Sequence, residues 1–189
     1  QIGDWLAALD LETALGRVTS LSYLHFNLSI VALVQGDLDE EEKQLREGLV
    51  ACGVSGRMDC REFAYPSLAR VAQLRGDLAE SERLGREALQ ISHETRNAVR
   101  ERDAAHELAE LQFEKGRPEE ALSFRRRALA LAEGQGDRLL VAFERSRLAE
   151  LLASIGRPKE AATIVEEVWK SLGGIPEAPP FLSSDLLVT

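Results

Sequence analysis

The sequence predicts an all-α fold in which antiparallel helix pairs stack into a solenoid. Two observations predict it: a repeat of 40 residues, and helical spacing of the apolar residues within each repeat. Four glycines at one spacing mark the repeats, which we number one to four in this order: Gly36, Gly76, Gly116 and Gly156. A period of this length is typical of solenoids, because one repeat cannot bury its apolar face and must stack on its neighbours.

Other positions recur with the same period. Eight and seven residues before each glycine stand a leucine and a small residue: Leu28-Ser29, Leu68-Ala69, Leu108-Ala109 and Leu148-Ala149. Four residues after each glycine stands a glutamate: Glu40, Glu80, Glu120 and Glu160. Thirteen residues after it stands a large apolar residue: Leu49, Leu89, Leu129 and Trp169. The recurring leucines are therefore predicted to lie in the core.

Each repeat reads as two helices, which repeat three illustrates. Apolar residues keep helical spacing over residues 98–115, and this segment, helix A, ends at Gly116. Glycine suits the stop, because the residue after a helix often takes a positive φ. Helix B then begins at Pro118 and runs to about Leu131, before a polar turn over residues 134–137. The short connection predicts that helix B reverses direction and packs against helix A.

The starts of helix B differ between repeats. Asp37 and Asp77 are predicted N-caps in repeats one and two, each with a glutamate three residues later as in a capping box. Pro118 and Pro158 are predicted as first helical residues in repeats three and four. Pro66 lies within helix A of repeat two, so that helix either starts near Pro66 or bends there.

The repeat pattern extends over residues 1–175. Residues 1–15 match only the later part of a helix B, so we expect the chain to start inside a repeat. Residues 176–189 form a proline-containing tail that either covers the last helix or begins another repeat, and we favour the cover because terminal repeats expose an apolar side. The same exposed side makes an oligomer through the terminal repeats compatible with the pattern.

Composition bounds the function. Of 189 residues, 44% are hydrophobic and 29% charged, with a net charge of −9. An acidic chain without a basic face argues against nucleic acid and anionic membranes as partners. Two cysteines, too few for a disulfide framework, indicate a reducing compartment, and we expect a cytoplasmic protein. Cys52 and Cys60 match no common zinc spacing, and no nucleophile or phosphate loop accompanies His106. We therefore expect no metal, no cofactor and no enzyme activity.

The chain resembles the tetratricopeptide repeat over roughly residues 2–172. The resemblance rests on the Leu-small pairs of helix A, the glycines between the helices, and the Ala-Leu pairs Ala88-Leu89 and Ala128-Leu129 of helix B. It implies a right-handed superhelix of helix pairs. The repeats are longer than the 34-residue consensus and lack its closing proline. This longer form looks like the repeats of large bacterial transcriptional activators of the maltose-regulon type and related signalling proteins.

In that family helix A lines the concave face, which implies a partner-binding groove. The residues this places in the groove are Tyr23, Phe26, Asn27, Ile30, Phe63, Arg70, Gln73, Asp103, His106, Glu107, Glu110, Phe143, Arg147 and Glu150. The first half of this set is aromatic and apolar, and the second half is acidic. Such a groove suits an apolar peptide bearing basic residues, whereas the family's clamp for a C-terminal carboxylate is absent. An alternative interpretation is that the aromatic residues pack between neighbouring helices.

Residues 125–127 form a run of three arginines on helix B, which we interpret as a solvated convex face. The preferred function is a protein or peptide interaction module within a larger bacterial regulatory or signalling protein. The alternative is an allosteric sensor that binds a small molecule or signalling peptide in the groove and controls an attached effector domain.

Overall fold

The computed structural model describes residues 2–55 and 59–173, and this part of the chain contains α-helices and no strand. In chain order the helices are α1 (Ile2–Ala14), α2 (Val18–Gln35), α3 (Leu38–Ser55), α4 (Asp59–Leu74), α5 (Leu78–Glu94), α6 (Ala98–Glu114), α7 (Pro118–Gln135), α8 (Arg138–Ser154) and α9 (Pro158–Leu172). The prediction of an all-α solenoid built from helix pairs is confirmed. Helices α2, α4, α6 and α8 are the A helices, and α3, α5, α7 and α9 are the B helices.

The chain divides into two compact units. The N-terminal unit, Gln1–Arg100, contains α1 to α5, and the C-terminal unit, Glu101–Thr189, contains nearly all of α6 together with α7, α8 and α9. Within the units, α2 packs against α3, α4 against α5, and α8 against α9. The predicted pairs α2–α3 and α4–α5 are therefore formed in the N-terminal unit, and the predicted pair α8–α9 is formed in the C-terminal unit.

The helix ends follow the predicted chemistry. The four periodic glycines have φ between 70° and 80°, a left-handed conformation in which a side chain is strained. Asp37 and Asp77 accept hydrogen bonds from the backbone N–H groups of Glu40 and Glu80, each at 3.0 Å. Pro118 is the first residue of α7. The caps of helix B are confirmed.

Two boundaries differ from the prediction. Helix α7 continues four residues beyond Leu131 to Gln135 and ends at Gly136, whose φ is 74°, so the predicted turn over 134–137 is shorter. Helix α4 begins at Asp59 and runs through Pro66, so a start near Pro66 is wrong. Pro66 lacks an N–H donor, but the residues on both sides of it keep helical geometry.

The recurring leucines fill the core, as predicted. Leu28, Leu68, Leu108 and Leu148 are all 6% exposed or less. In the N-terminal unit Leu68 belongs to one cluster with Phe26. The ring of Phe26 lies over Gly48, where an added Cβ would come within 2.5 Å of a ring carbon. Gly48 therefore makes room for an aromatic ring at a place where repeats two and three carry alanine.

The two cysteines lie together in the core of the N-terminal unit. Cys52 on α3 and Cys60 on α4 form a disulfide, with a Cα–Cα distance of 6.2 Å, and both are buried. This pair was not predicted, because two cysteines eight positions apart match neither a disulfide framework nor a common zinc spacing. Helix packing brings these two positions together.

The C-terminal tail and the length of the helices remain to be described. The tail over residues 176–189 lies outside the described residues, so its role stays a prediction. None of the helices in the described part of the chain is long and apolar enough to cross a membrane.

Candidate interaction site in the C-terminal unit

The predicted groove residues of the N-terminal unit lie on α2 and α4. Tyr23 and Ile30 are exposed, at 53% and 45% of their surface. Phe26, in contrast, is only 8% exposed and packs on Phe63, with ring centroids 4.9 Å apart. A buried ring offers no surface to a partner, so this prediction is corrected: Phe26 belongs to the core.

Polar residues of the same face also have internal partners. Arg70 forms an ion pair with Glu41 of α3, whose side chain is 2% exposed. Asn27 and Gln73 are half-buried. The N-terminal unit thus offers an apolar surface on α2, and an ion pair joins α3 to α4.

The predicted groove residues of the C-terminal unit keep solvent access. Asp103, His106, Glu107 and Glu110 lie on α6, and Phe143, Arg147 and Glu150 lie on α8. Glu107 and Phe143 are exposed and the other five are half-buried. We call these seven residues the charged face. The grouping of acidic residues that the sequence predicted is present within this unit.

Arg125 differs most from its prediction. We expected a solvated arginine on the convex side, but Arg125 is 3% exposed and lies between α7 and the charged face. Its Nη1 donates to Nδ1 of His106 at 2.7 Å, and its Nη2 donates to the Glu110 carboxylate. Arg126 is exposed, as a solvated arginine should be, while Arg127 is half-buried and binds Glu101 at 2.6 Å.

Glu144 on α8 is the buried acidic counterpart. It is 1% exposed; its Oε2 lies 3.3 Å from Nδ1 of His106, and its Oε1 lies 3.9 Å from Nε of Arg102. Nδ1 of His106 bonds one of these partners at a time: it accepts from Arg125 when it carries no hydrogen and donates to Glu144 when it carries one. His106 therefore lies within reach of both buried charges.

Burial lowers the pKa of Arg125 but leaves the side chain positively charged. Desolvation, followed by repulsion from Arg147, lowers the pKa of Arg125 to about 10, against the opposing attraction of Glu144, Glu150 and Glu107. At neutral pH the guanidinium is still charged. A desolvated guanidinium of this kind can stay buried only because acidic neighbours compensate its charge.

An open pocket lies outside this buried layer, between α6 and α8. Its volume is about 130 Å³, and Glu110, Phe113, Arg125, Arg147 and Glu150 contribute to its lining. Across its mouth Nη2 of Arg147 donates to Glu110 at 2.6 Å, and Nη1 donates to Glu150 at 2.5 Å. Phe113 is 42% exposed, so the pocket has an accessible aromatic wall.

The repeat register shows that these charges replace apolar residues. Position by position, 80 residues separate Arg125 from Leu45 and Glu144 from Ala64. Leu45 and Ala64 are fully buried and pack in one cluster between α3 and α4 of the N-terminal unit. The same two positions between α7 and α8 carry an arginine and a glutamate.

A pair of aromatic rings next to these positions also has an equivalent in the other unit. Phe26 and Phe63 contact at 4.9 Å in the N-terminal unit, and the equivalent His106 and Phe143 stack in the C-terminal unit with ring centroids 5.6 Å apart. The two units therefore share one packing frame. It is apolar in the N-terminal unit and ionisable in the C-terminal unit.

The balance of charge determines what this site attracts. Arg102, Arg125 and Arg147 face a larger set of carboxylates, namely Asp103, Glu107, Glu110, Glu144 and Glu150. The excess of carboxylates favours a cationic partner. Among the described residues no group of three histidine, cysteine or acidic side chains is arranged to hold a metal ion.

The sequence analysis missed the buried charges Glu41, Arg125 and Glu144. A signal for Arg125 and Glu144 was present in the sequence. When equivalent positions of the repeats are aligned in a column, each of these charged residues stands in a column that is otherwise apolar or glycine. The column of Arg125 contains Leu45, Gly85 and Val165, and the column of Glu144 contains Leu24, Ala64 and Ala104.

The repeat family follows from a family model. The tetratricopeptide repeat model matches residues 62–134 and 100–169, which together span more than half of the chain. The chain belongs to the tetratricopeptide repeat family. No curated protein sequence matches this tetratricopeptide repeat chain significantly.

Solved structures share the fold at low sequence identity. BtubC from P. vanneervenii superposes with a TM-score of 0.79 and 20% identity, over 97% of this chain and 78% of BtubC. A STAND signal-transduction ATPase with a tetratricopeptide repeat sensor, from Pyrococcus horikoshii, gives 0.73 and 14%, over 82% of this chain. This chain spans only 24% of that ATPase. A thermophilic tetratricopeptide repeat protein from Thermus thermophilus gives 0.57 and 18% over the whole of both chains.

Proposed function

We propose that this tetratricopeptide repeat chain is an interaction module, and that its charged face binds a protein or peptide segment carrying basic and apolar residues. The observation that carries the proposal is the replacement of Leu45 and Ala64 by Arg125 and Glu144 in the same frame. Buried charged side chains, even when compensated, seldom stabilise a fold better than apolar residues of similar volume. Since the N-terminal unit closes this frame with apolar residues, the charges in the C-terminal unit point to recognition.

The chemistry of the face sets the partner class. Carboxylates outnumber guanidiniums across α6 and α8, while Phe113 and Phe143 add exposed aromatic surface. A segment with basic and apolar residues matches both features, because charge complementarity raises the association rate and aromatic contacts slow dissociation. An acidic segment is repelled by the same face.

The proposal is tested by selecting binders from a displayed library of random 12-residue peptides. Selected peptides should be enriched in arginine, lysine and apolar residues and depleted of aspartate and glutamate. Glu107→Lys should weaken their binding roughly tenfold, the effect of about 1.4 kcal/mol. Glu107 is exposed on the charged face, whereas Glu110 is unsuitable for reversal because buried Arg125 donates to it.

Glu167→Lys on α9 is the matched control, because it makes the same change of charge at an exposed glutamate outside the charged face. Equal losses in the two variants would indicate a general effect of net charge and would contradict the proposed face. Selection of acidic peptides would contradict the partner class.

A role inside a larger regulatory or signalling protein forms the second part of the proposal. Its support is the resemblance to the STAND ATPase, in which a tetratricopeptide repeat sensor is one part of a much longer chain. The gene that encodes this chain tests it directly: flanking nucleotide-binding or DNA-binding domains agree with a regulatory protein, and their absence argues for a free-standing module.

A further inference from the structure

The pocket between α6 and α8 has a definite size and lining. With Arg147 in its wall the pocket still leaves about 130 Å³ of open space, which is room for a compact group such as a guanidinium. Ala109 and Leu151 give it buried apolar walls, and Phe113 gives it an exposed aromatic one. Glu110 on α6 and Glu150 on α8 supply carboxylates from two helices.

The residue across the mouth of the pocket is not part of the packing frame. Arg147 keeps 35% of its side chain exposed and is held by Glu110 and Glu150. The equivalent positions in the other repeats are Asn27, Ser67 and Glu107. None of them carries a positive charge, so the helix pair forms without an arginine at this place.

Charge indicates what the pocket requires. With Arg147 in place, two carboxylates face two guanidiniums, since Arg125 lies at the buried end. Without Arg147, Glu110 and Glu150 face Arg125 alone, and the pocket carries one uncompensated negative charge. A second cation is therefore needed to balance the two carboxylates. In the free protein Arg147 supplies it, with a long side chain that lies at the boundary to solvent.

From these observations we infer that Arg147 engages, in the free protein, the two carboxylates of a pocket whose ligand is the guanidinium group of an arginine in the partner segment. The inference rests on the proposed function and names the anchor of the partner. The planar fork of a guanidinium reaches carboxylates on two helices and lies against an aromatic wall, whereas a lysine ammonium is a point charge. Arg147 withdraws into solvent when the partner's arginine enters.

Self-occupancy has a consequence for affinity. A site that is open for only a fraction of the time binds with an apparent Kd raised by the inverse of that fraction. Removing the internal guanidinium should therefore tighten binding of an external one. This expectation is opposite to the loss that follows when a residue simply contacts the ligand.

The test uses N-ethylguanidinium, which has the end group of an arginine side chain, and follows backbone amide signals by NMR. We compare the parent chain, Arg147→Asn, which restores the residue type of Asn27, and Arg145→Asn as the matched control. Arg145 lies on the same helix and binds Glu133, away from the pocket. Arg147→Asn should bind N-ethylguanidinium about tenfold more tightly than the parent.

The expected pattern has three further parts. Shifts in Arg147→Asn should cluster at Ala109, Phe113 and Leu151; Arg145→Asn should bind like the parent; and urea, a planar neutral analogue, should give no saturable shifts. Absence of saturable binding in Arg147→Asn overturns the inference, as does equal affinity in all three proteins. Circular dichroism checks folding, and if Arg147→Asn is unfolded, displacement of the Arg147 Hε signal in the parent decides instead.

A second arm separates this inference from the proposed function. Selected library peptides are resynthesised with each arginine replaced by citrulline, which keeps the shape and removes the charge. Loss of binding at one arginine, greatest in Arg147→Asn, supports the guanidinium pocket. Peptides that depend on Glu107 but tolerate citrulline at every position would leave the proposed function standing and overturn the pocket assignment.

Discussion

The buried charges Arg125 and Glu144, which attract each other and share the neighbour His106, give the sharpest prediction about this tetratricopeptide repeat. Arg125→Leu restores the residue type of Leu45 and removes a 3% exposed guanidinium from its acidic neighbours. Glu144, 1% exposed, is then left with His106 and with Arg102 at 3.9 Å. Removing one partner of a buried pair costs about 3–5 kcal/mol. We expect about 3 kcal/mol here, because Arg102 and His106 compensate part of the stranded charge.

The double variant should behave differently. Arg125→Leu with Glu144→Ala recreates the Leu45 and Ala64 pair that closes the α3–α4 interface. Because both charges leave together, we expect stability within about 1 kcal/mol of the parent, or above it. The interaction energy between the two sites should then exceed about 2 kcal/mol, well above the ~0.5 kcal/mol of independent sites.

Urea denaturation followed by circular dichroism measures these changes, and a constant slope against urea shows that they are changes of stability. A double variant less stable than both single variants would refute the reasoning, because the pair would then be a structural requirement of the C-terminal unit. The folded double variant should also lose the basic peptides selected on the parent. That outcome would place the value of the two charges in binding.

Three further predictions concern packing. Leu108→Ala should cost ~2–5 kcal/mol in urea denaturation, since Leu108 is 1% exposed; a change below about 1 kcal/mol would contradict the repeat register. Gly48→Ala should cost about 1–3 kcal/mol because of the ring of Phe26, although helix propensity alone would add ~1 kcal/mol of stability. Reducing the Cys52–Cys60 disulfide, which spans eight positions, should cost roughly 2–3 kcal/mol, whereas a Cys60→Ala variant should not respond to reductant.

The fold could be predicted from the sequence because its causes are local and repeated. Positive φ at Gly36 and a cap at Asp37 depend on residues a few positions apart, and the period repeats the glycine four times and the aspartate cap twice. The burial of Leu28 and its equivalents follows from the same register. Of the two alternatives predicted at Pro66, a helix start there was wrong, since a helix tolerates one lost hydrogen bond when packing holds both sides of it.

The site could be predicted only in part. The acidic residues of α6 were located because a helix face follows from spacing alone. Arg125 was misplaced because its neighbours Arg126 and Arg127 made the run resemble a solvated stripe, and composition gives no orientation. Its surroundings include His106, which it contacts, and Glu144, which contacts His106; these lie 19 residues before and after it and come together only after the helices pack.

Comparison between repeats supplies the missing information. A solenoid uses one packing frame several times, so each column of equivalent positions records what the frame requires. Where a column holds Leu45, Gly85 and Val165, the frame requires no charge, and Arg125 in that column demands a cause outside the frame. Glu144 is likewise the one charged residue in its own column, and its charge is opposite to that of Arg125. Two opposite charges thus stand at neighbouring positions that the other repeats fill without charge, and an open pocket with further carboxylates lies beside them. A stable core does not need such charges, whereas a binding site uses them.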